Sequence, residues 1–177
     1  ASGRWYTLTG CEPPIAARGW LVRSPYARTL EFACSDPLLS RIQATAAWTF
    51  ECLSLGGMVV DCPQRERRGY GGDAHATMRT ALTHFDMHDF YAQWLEDWRD
   101  VQGPDGNIPY TAPTRDGGGG PAWSGVCIRL PWDVYVHTGD VQVLADNWPM
   151  MQRWLAFLRT QTTDGLLHRY GHPNWGF

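Results

Sequence analysis

Lysine is absent from this 177-residue sequence, and all fifteen basic side chains are arginine. The formal net charge is −3, so the chain lacks the basic excess that draws proteins to nucleic acid or to anionic membrane surfaces. No apolar run approaches the ~20 residues needed to cross a bilayer, and the N-terminus has no basic stretch leading into an apolar one. Neither nucleic acid nor a membrane is an expected partner, and the compartment stays open. Cysteine is sparse: Cys11, Cys34, Cys52, Cys62 and Cys127 are odd in number and scattered. They form neither the CxxC pairs of a zinc site nor a dense disulfide framework, so free and mostly buried thiols are expected. The run Gly117 to Gly120 has no GK[ST] after it, which removes a phosphate loop and leaves a glycine-rich rim. No cofactor is implied.

Aromatic and apolar side chains are plentiful. They make up 13% and 44% of the chain, enough for one sizeable core. Ten tryptophans fit a large core, with room for an indole face against a sugar. Residues 1–34 carry β-formers, Gly and Pro without a helical period, and read as short strands and linker. From Ser35 the character changes. Ser35-Asp36-Pro37 is a helix start, and Leu38, Leu39, Ile42, Ala46, Thr49, Phe50 and Leu53 recur at helical spacing up to Gly56-Gly57. A second helix is expected from about Gly72-Asp73, with Ala74, Met78, Ala81, Leu82 and Phe85 on one face. A third carries Phe90, Tyr91, Trp94, Leu95, Trp98 and Val101. Residues 102–122 are a long loop, a length that usually signals function or disorder. Helices over about 123–137, containing Pro131, and 141–161, interrupted near Trp148-Pro149, complete the pattern. The expected division is therefore 1–34 as a β/linker segment and 35–177 as a mainly α domain. Helix pairs joined alternately by short turns and long loops suggest an α/α toroid, although an irregular bundle has the same composition.

The chemistry concentrates in residues 61–73, DCPQRERRGYGGD, where Asp61, Glu66 and Asp73 stand among Arg65, Arg67 and Arg68 and three glycines. Their spacing around a proline keeps them off any one regular helix, so they can converge only through loop geometry. Carboxylates gathered in a partly desolvated pocket repel one another, which raises one of their pKa values and creates a general acid. The arginines can hold the others ionised or bind ligand hydroxyls. The competing interpretation is a solvated turn with weak surface ion pairs. His84 and His88 are four apart, with His75 nearby, a spacing that can serve a metal. No acidic or Cys partner lies in register, and no metal is expected. Cys62 would need a base such as His75 to act as a nucleophile, and Trp94 and Trp98 follow the core period rather than that of a sugar platform.

DCPQRERRGYGGDAH resembles the signature of bacterial α-L-rhamnosidases of the inverting, (α/α)6-barrel kind. The resemblance continues in EDWRDVQGPDGNIPYTAPT, GGGGPAWSG and LPWDVYVHTGD, is preceded by LEFACSDPLLSRI, and covers roughly residues 20–177. It implies that Glu66 is the acid that protonates the glycosidic oxygen. It further implies that Asp61 and Asp73 bind sugar hydroxyls and tune that acid, that Arg65 contacts the sugar, that Tyr70 influences how the sugar stacks, and that Trp123 packs on the rhamnose ring. Three departures stand out. One residue fewer separates Asp61 from Glu66 than in the commoner spacing, Tyr70 stands where Trp is frequent, and Ser124 stands where many relatives carry Asp.

The fold implied is about half of an (α/α)6 toroid, since twelve helices are needed and five or six are present. Inversion requires a second carboxylate about 6.5–9.5 Å from the acid, and in the family that base lies beyond residue 177. The expectation is thus a fragment that hydrolyses terminal α-L-rhamnosides, on a glycoside or polysaccharide, only as part of a larger enzyme. Its open flank would favour self-association. A non-catalytic sugar-binding or scaffolding module and a toroid glycosidase of other specificity are the alternatives.

Overall fold

The first helix starts within Ser35-Asp36-Pro37 as the sequence predicts, but its cap is Asp36 and not the expected Ser35 hydroxyl. In this computed structural model the Asp36 carboxylate accepts the Leu38 N–H at 2.7 Å, and Pro37 opens helix α1, Pro37–Leu53. The structure describes residues 22–118 and 120–167, together with Thr7, Thr9, Gly10, Glu12, Ala16 and Arg18–Trp20. After α1 comes a minimal hairpin, β1 (Ser54–Leu55) and β2 (Met58–Val59), turned by Gly56 and Gly57 at φ 63° and 83°. Two successive positive-φ residues are what a two-residue hairpin turn demands, and glycine supplies them without steric cost. The remaining helices are α2 (Gly71–His84), α3 (His88–Val101), a single turn α4 (Pro121–Ser124), α5 (Val126–Thr138) and α6 (Gln142–Thr160). A second small hairpin, β3 (Thr162–Thr163) with β4 (Leu166–Leu167), follows α6.

The chain is therefore mainly helical, as expected, with several differences in detail. Among the described residues before 35 there is no strand, only an isolated bridge between Arg28 and Phe85. The stretch expected as a strand at 5–9 lies largely outside the described residues. What ties the segment down is charge: Glu51, 6% exposed on α1, accepts from Arg23 at 2.8 Å and from Arg28 at 2.5 Å. The helix expected over 123–137 is split at Gly125 into α4 and α5. Pro149 does not interrupt α6. It sits on the exposed side, where water can take the carbonyl that its missing N–H leaves free. The thiols are also less buried than expected: Cys34 and Cys52 are exposed, Cys62 is half-buried and only Cys127, of the four described, is buried.

The core lies where α2, α3 and α5 meet, with α1 and α6 on its flanks. Tyr91, Trp94 and Trp98 of α3 are fully buried, so the Trp stripe is core and not a sugar platform. Phe50, Phe85 and Tyr26 extend this aromatic cluster toward α1. Gly139, at φ 75°, ends α5 with its N–H on the Tyr135 carbonyl, a left-handed cap that suits glycine. The predicted apolar stripe of α1 is only half used: Phe50 is buried and Ala46 and Leu53 are half-buried, whereas Leu39 is exposed and Leu38 and Ile42 are exposed along a groove shared with Ala76, Thr77 and Thr80 of α2.

Candidate active site

Residues 61–70 leave β2 and enter α2 as a closed loop, and Asp61 is its clasp. The Asp61 N–H donates to the Arg68 carbonyl at 3.2 Å, and its carboxylate accepts the Arg68 N–H at 3.2 Å and the Cys62 thiol at 2.7 Å. Partial burial pushes the Asp61 carboxyl up, but the hydrogen bonds from Cys62 and Arg68 outweigh it and leave the carboxyl below its ordinary value. Inside the loop the Arg65 and Arg67 N–H groups donate to the Cys62 carbonyl at 3.2 and 3.3 Å. Arg67 takes a positive φ of 57° and donates its Nε–H to the Pro63 carbonyl at 2.6 Å.

Glu66 is held on both oxygens. The Tyr70 hydroxyl donates to Oε2 at 2.7 Å, and Arg65 Nη2 lies 2.6 Å from Oε1. Burial, followed by the hydrogen bond to Glu66 and its charge, pushes the Tyr70 phenol up to about 12. Asp73 lies in the first turn of α2 and forms no ion pair among the described residues. Its carboxyl is raised above the ordinary value, first by burial, then by the charge of Asp61 and, more weakly, that of Glu66. Asp61 and Glu66 thus come together in the loop, and their charges reach Asp73 in the first turn of α2; the carboxylate raised by its surroundings is Asp73, which the family resemblance casts as a sugar-binding residue.

Three glycines let the surrounding elements close on this loop. At Gly69 a Cβ would overlap the Ala112 carbonyl oxygen, and at Gly71 the Trp123 carbonyl oxygen; at Gly72 it would stand 2.7 Å from the Trp123 indole. Trp123, half-buried on α4, therefore lies directly over the first turn of α2, with the Tyr110 ring edge-on at 6.1 Å. Residues 110–116 of the long loop that follows α3 pack against the same place. Gly71 N–H donates to the Tyr110 carbonyl at 3.0 Å, Ala112 N–H to the Gly69 carbonyl at 3.1 Å, and Arg68 is ion-paired with Asp116. The Ser124 hydroxyl closes the other side on the Ile108 carbonyl at 2.6 Å. Sequence reasoning placed Arg68 in the site but missed its partner Asp116, and it missed Tyr110, because contacts so distant along the chain leave no local signal. The glycines were the available hint, since GYGG ahead of a helix implies a close backbone approach.

One set of metal-type donors stands together among the described residues: the ligating atoms of Asp61, Cys62 and Glu66 lie within 4.8 Å of one another. They are already engaged, Cys62 donating to Asp61 and Glu66 held by Arg65 and Tyr70. The histidines do not gather. His84 Nδ1 is 2.7 Å from the Thr80 carbonyl, His88 bridges Asp89 and Asp140, and His75 packs beneath Gly125.

The sequence model of the bacterial alpha-L-rhamnosidase six-hairpin glycosidase domain matches residues 27–176. The chain belongs to this family. An alpha-L-rhamnosidase of Formosa agariphila is 32% identical over 147 residues, which cover 81% of this chain and 16% of that protein. The solved alpha-L-rhamnosidase from Dictyoglumus thermophilum superposes on this rhamnosidase-family chain with a TM-score of 0.81 at 31% identity, over 89% of this chain and 18% of that one. That of Streptomyces avermitilis, complexed with L-rhamnose, gives 0.73 at 30% identity, over 80% and 14%. The chain thus spans about one sixth of the length of these relatives, and its helices are a partial (α/α) toroid.

Proposed function

We propose that the chain forms the acid side of an active site that hydrolyses terminal α-L-rhamnosides with inversion, within a larger enzyme. The supporting observation is that Asp61 and Glu66 come together in the loop that enters α2, whose first turn carries Asp73 and is covered by the Trp123 indole, in a member of this family. Glu66 protonates the glycosidic oxygen as the bond from that oxygen to the anomeric carbon breaks. Water attacks the opposite ring face, and the carboxylate that takes its proton comes from another part of the six-hairpin domain. Asp73 and Asp61 accept hydrogen bonds from sugar hydroxyls. Arg65 donates to the sugar once it leaves Glu66, and Trp123 offers its ring to the apolar side of the rhamnose, with Tyr70 at the edge of the same pocket. The substrate is a rhamnose-containing glycoside or polysaccharide. Residues 1–34 act as the segment leading into the domain and 35–177 as its first half, whose exposed flank self-associates when the other half is missing.

The test is hydrolysis of an aryl α-L-rhamnoside by the whole polypeptide that contains this chain, with Glu66→Gln beside it. The expected result is a loss in kcat of about 10²–10⁴-fold, the usual weight of general acid catalysis, with KM nearly unchanged and the β-anomer of rhamnose as first product. Near-normal turnover of the Glu66→Gln enzyme would sink the assignment. Rhamnose binding without turnover by the wild type would favour a sugar-binding module.

A further inference from the structure

Tyr70 is the fixed member of the group around Glu66. It caps α2, its carbonyl accepts the Ala74 N–H at 3.1 Å, and its backbone bridges to Thr111 in the long loop. Arg65, by contrast, has a side chain 78% exposed. We infer that Tyr70 is a positioning residue for Glu66: by donating to Oε2 it fixes the carboxylate and leaves Oε1 as the oxygen that carries the transferable proton. The inference rests on Glu66 being the acid.

The reason is donor bookkeeping. A phenol that stays protonated keeps its hydrogen bond on Oε2, and protonating that oxygen would turn it into a carboxylic hydroxyl, a poorer acceptor than the carbonyl oxygen it otherwise remains. Oε1 is the site left, and Arg65 occupies it in the ionised state. A guanidinium offers donors only, and its positive charge beside Oε1 opposes a proton there. Loading the acid is therefore favoured by Arg65 lifting off, which its exposure permits at little cost, whereas Tyr70 stays. The other charged or titratable groups acting here are Asp61, Cys62, Arg68 and Asp73. They bear on Glu66 in wild type and variant alike, so a change confined to the Tyr70 hydroxyl reports that contact.

The experiment compares Tyr70→Phe, and 3-fluorotyrosine placed at position 70 alone, with wild type in the active polypeptide, using a methyl and a dinitrophenyl α-L-rhamnoside. The methyl glycoside needs a proton to depart and the dinitrophenyl one does not. For Tyr70→Phe the alkaline limb of kcat/KM should move up by about 1 pH unit, the equivalent of one hydrogen bond to a charged group. Hydrolysis of the methyl glycoside should fall about tenfold or more, and that of the dinitrophenyl glycoside by less than about threefold. Fluorotyrosine, a stronger donor of the same shape, should move the limb down, and it carries the test alone if the Phe variant does not fold. An unmoved limb in both variants, or equal losses on both substrates, overturns the inference. If Glu66→Gln hydrolyses the methyl glycoside at the wild-type rate, the acid assignment itself has failed, a result separate from any obtained with Tyr70.

Discussion

Asp73 shows what burial does to one carboxylate. Its folded-state pKa is raised, by burial first and by Asp61 and Glu66 after it, so folding favours the neutral form. The associated stability is fully present below the unfolded pKa of about 3.9 and is lost as pH rises through the raised value. Asparagine mimics the neutral form. Asp73→Asn should therefore stabilise the chain at pH 7 by about 0.5 kcal/mol, a figure kept small because the site is only half-buried and solvent screens it. The gain should vanish near pH 3.5 in denaturant titrations at the two pH values, and activity should fall although stability rises. At this scale the sequence named candidate residues and was silent about their states. The motif picked out Asp61, Glu66 and Asp73, and the repulsion argument required that one be raised. That it is Asp73 depends on its depth in the first turn of α2, and that Asp61 is lowered depends on the Cys62 thiol and the Arg68 N–H.

Between elements, two junctions are open to direct test. The first turn of α2 meets Trp123 through Gly71, where a methyl group would strike the Trp123 carbonyl, and backbone cannot swing aside. Gly71→Ala should cost about 1–3 kcal/mol, as overpacking usually does, seen as a lower denaturation midpoint with an unchanged slope. The second junction is His88 at the start of α3, with Nδ1 2.8 Å from Asp89 and Nε2 2.8 Å from Asp140 beyond α5. Hydrogen bonds to Asp140 and then Asp89 raise its pKa. Its contribution is complete below the unfolded value near 6.5 and is lost as pH rises through the folded one. His88→Ala should accordingly lose more stability at pH 5.5 than at pH 8.5 in thermal melts. Helix positions were largely legible, because the stripes in α2 and α3 follow the 3.6-residue period closely. Pro149 misled because proline marks a helix break only where no water or neighbour takes the orphaned carbonyl. The His88 bridge spans 52 residues and has no sequence signature.

Over the whole molecule, the apolar residues without cover are the notable feature. Leu38 and Ile42 on α1 and Trp132, Val136 and Trp148 on α5 and α6 are between 51% and 59% exposed, an arrangement expected of part of a six-hairpin domain. The chain alone should sediment as a self-associated species at micromolar concentration, and Leu38→Glu with Ile42→Glu should shift it toward monomer. A wild-type monomer at all concentrations would refute that. The Arg68–Asp116 pair and the Gly69–Ala112 hydrogen bond join the loop bearing Glu66 to the glycine-rich rim. Evolution therefore cannot adjust the two independently. Libraries that randomise residues 113–118 in search of new leaving groups will alter turnover as well as selectivity, and variants retaining Asp116 will dominate the active survivors.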